Sequence, residues 1–329
     1  MSRIAVLGAG GFGTALAVHL ARLGHESVLW ARRAAFADEL RSRRENLPYL
    51  PGVALPPGLA VAHDLSQALA GCAGVLLAVP SQHVRDLADR LARETLPDLV
   101  LDTAKGLELQ SLLRMSEVLG TCGIDAVALS GPSHAEEVGR GQPTVVVVAH
   151  PDPRLRAEAQ RLLHGPGLRV YGSADRTGVE LAGALKNVLG LASGVAEGLG
   201  LGDNLRAALL TRGLAEITRL GVACGAEPAT FAGLAGLGDL LATVMSPHSR
   251  NRRAGIEIGR GQRLPDVLAA SPMVVEGVPA TRAGLDLARR AGQDLPIAAA
   301  LARLLFDGAD PRQEIEGLLA RAFKDEERW

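Results

Sequence analysis

The chain has 329 residues, of which 47% are hydrophobic and 3% aromatic, and its formal net charge is -1. That length exceeds one typical core and predicts two domains, whose cores must be built from alanine, leucine, valine and isoleucine. The balanced charge gives no bulk attraction to nucleic acid or to a membrane surface, so any anion site must depend on a few placed cations.

The cysteines and the apolar runs indicate the compartment. Cys72, Cys122 and Cys224 are widely spaced and form no CxxC pair. Such a set argues against a disulfide framework or a zinc site and favours free thiols in a reducing cytosol. The apolar run near the N-terminus is too short for a secretory signal, and no apolar run approaches the length that spans a bilayer. The sequence therefore predicts a cytoplasmic protein without membrane insertion.

The first half of the chain alternates short β-rich runs with helical patterns. It predicts a helix over residues 12–23, ending at Gly24, and strands over residues 4–7, 27–30, 75–79, 100–103, 127–129 and 144–148. Continuous Val/Leu runs separated by helices are typical of a parallel sheet covered on both faces. This pattern predicts a doubly wound, Rossmann-type sheet.

The second half has a different pattern. From about Arg176 onward strand-like runs give way to Ala-, Leu- and Gly-rich helical periods with Gly and Pro breaks. The predicted fold class is therefore α/β, with the Rossmann-type doubly wound sheet in residues 1–175 and an all-α domain in residues 176–329.

A glycine motif follows the first predicted strand. Gly8, Gly10 and Gly13 form G-x-G-x-x-G between that strand and the first helix, the context that a dinucleotide-binding loop requires. One glycine permits the tight turn, one lets the backbone approach the pyrophosphate, and one lets helix and strand pack closely. The first domain is thus predicted to bind NAD or NADP.

The end of the second predicted strand indicates which cofactor is used. An acidic residue there would bind the ribose 2′-hydroxyl of NAD, but the chain has Arg32 and Arg33. Paired arginines can neutralise a 2′-phosphate, which favours NADP or the use of both cofactors. An ordinary solvated basic loop is the alternative.

Two further segments follow predicted strand ends, where ligands of open α/β sheets bind. Lys105 lies in one, and the other is the run of residues 130–135, whose small side chains allow a ligand to approach the backbone. Ser133 can cap the next helix. A surface-loop lysine and a simple helix start are the alternatives. His134 is discounted as a catalytic acid, because no partner carboxylate can be identified for it.

Lys186 stands in a strongly apolar helical run, residues 180–190. Its neighbours three and four positions away are Ala182, Gly183, Leu189 and Gly190, so another element can press close to it. Desolvation there would lower the pKa of the amine and suit it to general acid/base work. The alternative is a lysine whose stem packs while its amine reaches water.

Polar residues of the second domain complete the candidate site. Asp239 and Thr243 are four apart and would share one helix face, where the carboxylate could hold the charge of a catalytic lysine. Arg250 follows in the run of residues 249–251 and offers a planar fork of donors suited to phosphate. Because two more arginines come next, a basic surface turn is the alternative.

Taken together, these segments resemble the bacterial type of NAD(P)-dependent glycerol-3-phosphate dehydrogenase over nearly the whole chain. The matching motifs, in order, are GAGGFGTALA, AKGLE, SGPSHAEE, ELAGALKNVLG, LAGLGDLLAT, SRNRRAG and VVEGV. The resemblance implies an oxidoreductase that transfers hydride between NAD(P)H and dihydroxyacetone phosphate and supplies glycerol 3-phosphate for phospholipid synthesis. It also implies a cytoplasmic homodimer with a small phosphorylated substrate and no nucleic-acid partner.

The resemblance carries over to matched positions. It implies catalytic roles for Lys186, Lys105 and Asp239, with Lys186 handling the proton of the C2 oxygen. With the motif glycines, the implied cofactor contacts are Gly8, Gly10, Gly11, Phe12, Gly13, Arg32, Arg33, Tyr49, Lys105, Ala135, Arg250, Val274 and Glu276. The implied substrate contacts are Lys105, Gly131, Ser133, Lys186, Asp239, Thr243, Ser249, Arg250 and Asn251. No metal is expected.

Two positions depart from the family pattern. Phe12 stands where a Trp is usual, and His134 stands where a Phe is usual. Both keep a flat ring, so tuning rather than loss of activity is expected.

Two alternatives remain open. A related dehydrogenase of the β-hydroxyacid or ketopantoate type would share the Lys-Asn pair, but the segments around Lys105 and Arg250 favour a phosphorylated substrate. A non-catalytic NADP-binding sensor would not need Lys105, Lys186 and Asp239 together.

Overall fold

The computed structural model describes residues 1–270 and 273–321. The chain divides into two compact units: Met1–Ala104 with Met115–Arg176, and Lys105–Arg114 with Thr177–Trp329. Residues 271–272 and 322–329, which the sequence analysis assigns to the second domain, lie outside the described residues.

An eight-stranded sheet forms the centre of the first unit. The strands assigned there are β1 (Arg3–Leu7), β2 (Glu26–Trp30), β3 (Glu45–Asn46), β4 (Leu50–Ala54), β5 (Ala60–Ala62), β6 (Gly74–Leu77), β7 (Val100–Asp102), β8 (Ala126–Ser130), β9 (Thr144–Ala149) and β10 (Leu168–Ser173). Their order in the sheet is β10-β9-β8-β7-β6-β1-β2-β5, while β3 and β4 pair as a separate antiparallel hairpin. In β1 the fully buried Val6 lies between Leu29 and Leu76 of the flanking parallel strands, as expected for a sheet covered on both faces.

Short helices connect and cover these strands. They are α1 (Gly11–Arg22), α2 (Ala34–Arg43), α3 (Leu65–Leu69), α4 (Val84–Leu91), α5 (Met115–Gly120), α6 (Ala135–Arg140) and α7 (Pro153–Leu163). Gly24 has a φ of 86° just after α1, in agreement with the predicted helix stop. Helices on a mostly parallel sheet confirm the predicted Rossmann-type class.

The sheet is mostly parallel, as predicted, but one edge differs. β9 runs antiparallel to β8, and β10 runs parallel to β9, so these two strands oppose the others. The Val-rich run of β9 is apolar from end to end, and such a run has the same pattern in either chain direction. β5 and β10 were not predicted, because β5 has three residues and β10 alternates buried with exposed side chains.

The second unit is helical. Its helices are α8 (Arg176–Gly198), α9 (Asp203–Ala223), α10 (Pro228–Ala232), α11 (Asp239–Met245), α12 (Arg250–Gly259), α13 (Leu264–Ala269), α14 (Gly277–Arg290), α15 (Pro296–Ala302) and α16 (Pro311–Leu319). Leu234–Gly238 and Arg303–Asp307 form π-helical turns. No strand occurs in the described residues 177–270 and 273–321, which confirms the all-α prediction.

α8 is buried over nearly its whole length, from Gly178 to Ala196. By length and composition alone, two helical stretches of this unit could cross a membrane: Arg176–Gly198 and Pro228–Met245. The prediction that no apolar run approaches that length was therefore wrong. The apolar window is fully buried inside the structure for the first stretch and 39% buried for the second. A core helix of a globular unit meets the same criteria, because it too is apolar all round.

Glycines bring the backbones of α8 and α12 into contact. A Cβ atom on Gly194 would lie 2.2 Å from the Arg252 carbonyl oxygen, and one on Gly255 would lie 2.2 Å from the Leu191 carbonyl oxygen. Only glycine allows such an approach. This contact fixes the start of α12 beside the middle of α8.

Lys105–Arg114 leaves the first unit between β7 and α5 and joins the second. Leu107 and Leu112 are buried in the core of the second unit. Arg114 forms an ion pair with Glu180 of α8, with 2.6 Å between Nη1 and Oε2. This grouping was not predicted from the sequence, since a single boundary at residue 175 assigns the whole segment to the first domain.

Candidate active site

The glycine loop of the first unit joins β1 to α1. Gly8 has a φ of 122°, and a Cβ atom there would lie 2.5 Å from the Ala78 carbonyl oxygen. A Cβ on Gly13 would lie 2.0 Å from the Gly8 carbonyl oxygen, whereas one on Gly10 would meet nothing within 4 Å. Packing thus requires the outer glycines, while Gly10 leaves open space at the N-terminus of α1, where the helix dipole favours a phosphate. The loop fits a dinucleotide.

Three of the predicted cofactor contacts lie together beside this loop. A Cβ atom built on Gly11 would lie 2.7 Å from the Tyr49 carbonyl oxygen and 3.4 Å from Cβ of Ala135. Phe12 is half-buried and packs against the core of the same unit. The hairpin and the start of α6 therefore border the glycine loop.

Arg32 and Arg33 are exposed after the end of β2. The Arg33 guanidinium lies 5.3 Å from the ring centroid of Phe36, and that ring meets Tyr49 edge-on at 5.7 Å between centroids. Phe36, which the sequence analysis did not single out, links the basic loop to the glycine loop through Tyr49. It is the kind of flat ring on which a guanidinium stacks.

The segment after β8 differs from its prediction in one respect. Gly131 has a φ of 112°, which favours glycine, and a Cβ atom there would lie 3.2 Å from Cα of Val146 in β9, a tight contact. Ser133 donates its hydroxyl hydrogen to the Gly131 carbonyl oxygen at 3.0 Å, and the N-cap of α6 is His134, without a side-chain cap. Ser133 thus does not cap the helix as the sequence allowed, because its hydroxyl is used in the preceding turn.

The second unit holds a buried cluster of two lysines and one carboxylate. Nζ of Lys186 on α8 lies 2.8 Å from Oδ1 of Asp239, and Nζ of Lys105 lies 2.8 Å from Oδ2 of the same side chain. Lys186 is 6% exposed and Asp239 is 3% exposed. One carboxylate thus orients two amines, and the cluster keeps an excess of positive charge.

The electrostatics of the cluster follow from burial and from its neighbours. Burial lowers the pKa of Lys186 to about 8; repulsion from Lys105 and Arg250 adds to the effect, and Asp239 opposes it. Burial by itself would raise the pKa of Asp239, but the two lysines outweigh it and hold that pKa below its usual value. Asp239 is therefore held as a carboxylate, and the pKa of Lys186 lies closer to neutral pH than that of an ordinary lysine.

Thr243 completes the surroundings of the Lys186 amine. Nζ of Lys186 donates to Oγ1 of Thr243 at 2.6 Å, and that hydroxyl donates to the Asp239 carbonyl oxygen one helical turn earlier at 2.7 Å. Asp239 and Thr243 share one face of α11, as predicted. The bonds to Asp239 and Thr243 use two of the three N–H groups of the ammonium.

The close approach predicted around Lys186 is also present. A Cβ atom on Gly190, one turn along α8, would lie 2.6 Å from Cγ2 of Thr243 and 3.5 Å from Cβ of Asn251. The small stripe on α8 therefore brings α11 and α12 against the reactive lysine.

A π-helical turn sets the position of Asp239. Leu234–Gly238 ends immediately before it, and a Cβ atom on Gly236 would lie 2.1 Å from the Phe231 carbonyl oxygen. Phe231 is itself fully buried in the core of the unit. Isolated π-turns of this kind frequently mark functional sites.

Three amides form a buried hydrogen-bonded chain beside the cluster. Nδ2 of Asn187 donates to the Lys105 carbonyl oxygen at 3.2 Å, and Oδ1 of Asn187 accepts from Nδ2 of Asn251 at 2.8 Å. Oδ1 of Asn251 accepts from the Gly277 N–H at 2.9 Å. Asn187 was not among the predicted site residues, although an amide next to Lys186 in an apolar helix was the signal that could have identified it.

The remaining predicted residues lie around the starts of α12 and α14. Oγ of Ser249 accepts from the Arg252 N–H at 3.2 Å and so caps α12, while Arg250 lies close enough for its charge to lower the pKa of Lys186. Val274 is exposed, and Glu276 is the N-cap residue of α14. No group of three or more His, Cys, Asp or Glu side chains that could hold a metal occurs among the described residues.

Comparisons with known proteins give the same family for both parts of the chain. Residues 3–156 match the N-terminal model of the NAD-dependent glycerol-3-phosphate dehydrogenases, and residues 175–316 match the C-terminal model of the same family. The chain is 52% identical to the glycerol-3-phosphate dehydrogenase [NAD(P)+] of Moorella thermoacetica, over 97% of this chain and 96% of that protein. It is 49% identical to the protein of the same name from Carboxydothermus hydrogenoformans, over 98% of each.

A solved structure shows the same fold. The crystal structure of glycerol-3-phosphate dehydrogenase from Coxiella burnetii is 36% identical, with a TM-score of 0.93 over 97% of this chain and 99% of that one. The residues matched by the two family models, 3–156 and 175–316, include every candidate site residue named above. The chain therefore belongs to the NAD-dependent glycerol-3-phosphate dehydrogenase family.

Proposed function

We propose that the chain catalyses hydride transfer between NAD(P)H and dihydroxyacetone phosphate, giving glycerol 3-phosphate for phospholipid synthesis. Relatives named for this activity match nearly the whole chain at about half identity. The observation that carries the proposal is the buried amine of Lys186, held between Asp239 and Thr243 with a pKa of about 8.

The first domain, residues 1–175, binds the cofactor, and the helical domain, residues 176–329, carries most of the chemistry. Reduced nicotinamide, when bound, supplies the hydride. The proposed cofactor contacts are Gly8, Gly10, Gly11, Phe12, Gly13, Arg32, Arg33, Tyr49, Lys105, Ala135, Arg250, Val274 and Glu276. The exposed pair Arg32 and Arg33 favours NADP, with NAD as a second cofactor.

Lys186 is the proposed general acid. Its ammonium donates a proton to the C2 oxygen as negative charge develops there, and it takes the proton back in the reverse reaction. Lys105 adds positive charge, and Asp239 keeps both amines oriented. Because the two ammonium charges exceed the single carboxylate charge, the cluster attracts an anionic substrate before the reaction and stabilises an alkoxide during it.

Arg250 and Asn251 are proposed to hold the substrate phosphate at the start of α12. A guanidinium fork suits a phosphate, and binding at this remote group positions the reacting carbon. The full set of proposed substrate contacts is Lys105, Gly131, Ser133, Lys186, Asp239, Thr243, Ser249, Arg250 and Asn251.

The test follows the absorbance of reduced cofactor with dihydroxyacetone phosphate, comparing NADPH with NADH. We expect oxidation by the wild type and a loss of about 10²-fold or more in turnover for both Lys186→Ala and Lys186→Arg, because arginine keeps the charge but does not release a proton. Lys324→Ala is the matched control, since Lys324 lies beyond the residues that match the C-terminal family model. Near-normal turnover in Lys186→Arg would exclude the acid role.

The substrate assignment has its own criterion. Cofactor oxidation with ketopantoate or a β-ketoacid, but not with dihydroxyacetone phosphate, would contradict it. Binding of NADPH without turnover of any ketone would instead support a sensor.

We further propose a cytoplasmic homodimer without a nucleic-acid partner. The Ala- and Gly-rich helical domain and the family resemblance support it. Light scattering during size exclusion is expected to give twice the chain mass of 34.2 kDa, and a single chain mass would contradict the proposal.

A further inference from the structure

Asn46 is a buried polar residue that the proposed mechanism does not use. It lies on β3, has 0% exposure, and stands at a register shift between Glu45 and Asn46 of the hairpin. Such irregularities commonly re-aim a side chain. Here the side chain is directed into the glycine loop instead of along the hairpin.

Its amide nitrogen binds that loop at two points. Nδ2 donates to the Ala9 carbonyl oxygen at 3.1 Å and to Oγ1 of Thr14 at 2.7 Å. Ala9 lies between the first two motif glycines, and Thr14 directly follows the third. One side chain thus ties the start of the loop to the first turn of α1.

The main chain of the same hairpin adds a third attachment. The Asn46 carbonyl oxygen accepts from the Tyr49 N–H at 3.3 Å, and the Tyr49 carbonyl oxygen lies against Gly11. Asn46 therefore fixes both the loop and the backbone segment that borders it.

The amide oxygen of Asn46 differs from its nitrogen in having no partner within the part of the chain that the structure describes. Oδ1 of Asn46 is buried and has no hydrogen-bond partner among the described residues. Rotating the amide would place that oxygen against the Ala9 carbonyl oxygen, so the bond to Ala9 depends on the nitrogen as donor, whereas the Thr14 hydroxyl can pair with either end of the amide. A buried acceptor without a partner is unfavourable, so the contribution of this side chain lies in the two hydrogen bonds of its nitrogen.

We infer that Asn46 is a positioning residue that holds the glycine loop in its dinucleotide-binding shape, and that it sets affinity for NAD(P) without taking part in hydride transfer. This inference rests on the proposed function. Preorganised loops bind more tightly because the ordering is complete before the ligand arrives.

The variant Asn46→Asp tests it, because the carboxylate has nearly the same shape but turns an oxygen toward the Ala9 carbonyl. We expect the dissociation constant for NADPH, measured by calorimetry without substrate, to rise about tenfold or more. At saturating cofactor, kcat and the KM for dihydroxyacetone phosphate should stay within about twofold. Asn204→Asp, the same exchange at an exposed position of α9, is the control and should leave every constant unchanged.

Thr14→Val removes the second acceptor and should raise the same dissociation constant by a smaller factor, about threefold. If Asn46→Asp does not fold, the dissociation constant of Thr14→Val for NADPH tests the inference instead. Unchanged cofactor affinity in the folded variants overturns the inference, as does a loss of kcat without a loss of affinity. A wild type that binds neither NADPH nor NADH overturns the proposed function as well, so the two failures are distinguishable.

Discussion

Lysine is rare in this chain. The 35 residues that are Lys or Arg include only three lysines: Lys105, Lys186 and Lys324. The amines of Lys105 and Lys186 each bind one carboxylate oxygen of Asp239. Arginine does not lose its proton in proteins, whereas the pKa of a buried lysine shifts readily. Two of the three lysines therefore lie at the candidate site, and burial lowers the pKa of Lys186.

The pKa of Lys186 predicts opposite pH profiles for the two directions of the reaction. Ketone reduction needs the ammonium, so its kcat/KM should fall as pH rises through about 8; alcohol oxidation needs the free amine and should rise over the same range. Initial rates between pH 6.5 and 9.5 in both directions check this. Parallel profiles would contradict the assignment of Lys186 as acid and base.

Glu216 predicts a pH dependence of stability. It is buried on α9 and accepts from the Ile297 N–H at 3.1 Å, at the start of α15. Burial raises its pKa from 4.5 to about 7, with Arg219 lowering it and Asp294 raising it. The folded state thus binds this proton more tightly than the unfolded state, so the stabilisation is complete below pH 4.5 and is lost as pH rises through 7.

Glu216→Gln removes that proton exchange and keeps an acceptor for Ile297. Between pH 5.5 and 8 its melting temperature should fall less than that of the wild type. Differential scanning calorimetry at both pH values checks this, and identical shifts in the two proteins would show that another group is responsible.

At the scale of elements, local sequence patterns predicted the presence of strands and helices better than they predicted strand direction or contacts between distant segments. The strand predicted over residues 27–30 is β2, Glu26–Trp30, and the helix predicted over residues 12–23 is α1, Gly11–Arg22. Apolar runs and glycines encode these features locally. The reversal of β9 and the hydrogen bonds of Asn46 arise from contacts between segments far apart in sequence, which no local pattern records.

The candidate site likewise combines features that local sequence patterns predicted with a contact that they did not predict. The small residues around Lys186 and the four-residue spacing of Asp239 and Thr243 predicted a shared, desolvated face, because helix geometry determines both. That Asp239 also binds Lys105 depends on where the Lys105–Arg114 segment packs. Family resemblance supplied a role for Lys105, and the structure supplies the contact.

The π-turn before α11 provides a prediction at this scale. Gly236→Ala would place a methyl group 2.1 Å from the Phe231 carbonyl oxygen, so the turn must shift and Asp239 with it. We expect kcat/KM for dihydroxyacetone phosphate to fall about tenfold or more, since small displacements of catalytic groups are costly. Steady-state kinetics with saturating cofactor measure the effect.

Gly238→Ala is the matched control in the same turn. Its added methyl group would meet Leu234 at 3.6 Å, an ordinary contact, and Gly238 already has helical backbone angles. Equal losses in both variants would show that the turn tolerates no substitution, and would remove the specific role of Gly236.

At the scale of the whole molecule, the second unit draws part of its core from the first half of the sequence. Leu107 is 1% exposed within that core. Leu107→Ala should destabilise the protein by about 2–5 kcal/mol. Hydrogen exchange read by mass spectrometry should show lost protection in α8 rather than in β1 and β6. Loss confined to the sheet would contradict the grouping of this segment with the helical unit.

The placement of Lys105–Arg114 also governs how such enzymes can be recombined. A chimera joined once, at residue 176, would combine Lys105, Leu107 and Leu112 from one parent with Lys186 and Asp239 from the other. The amine and the carboxylate that orients it would then come from different proteins. The helical unit is transferred intact by three crossovers, one on either side of this segment and one after Arg176. The part of the gene that encodes this unit is therefore discontinuous.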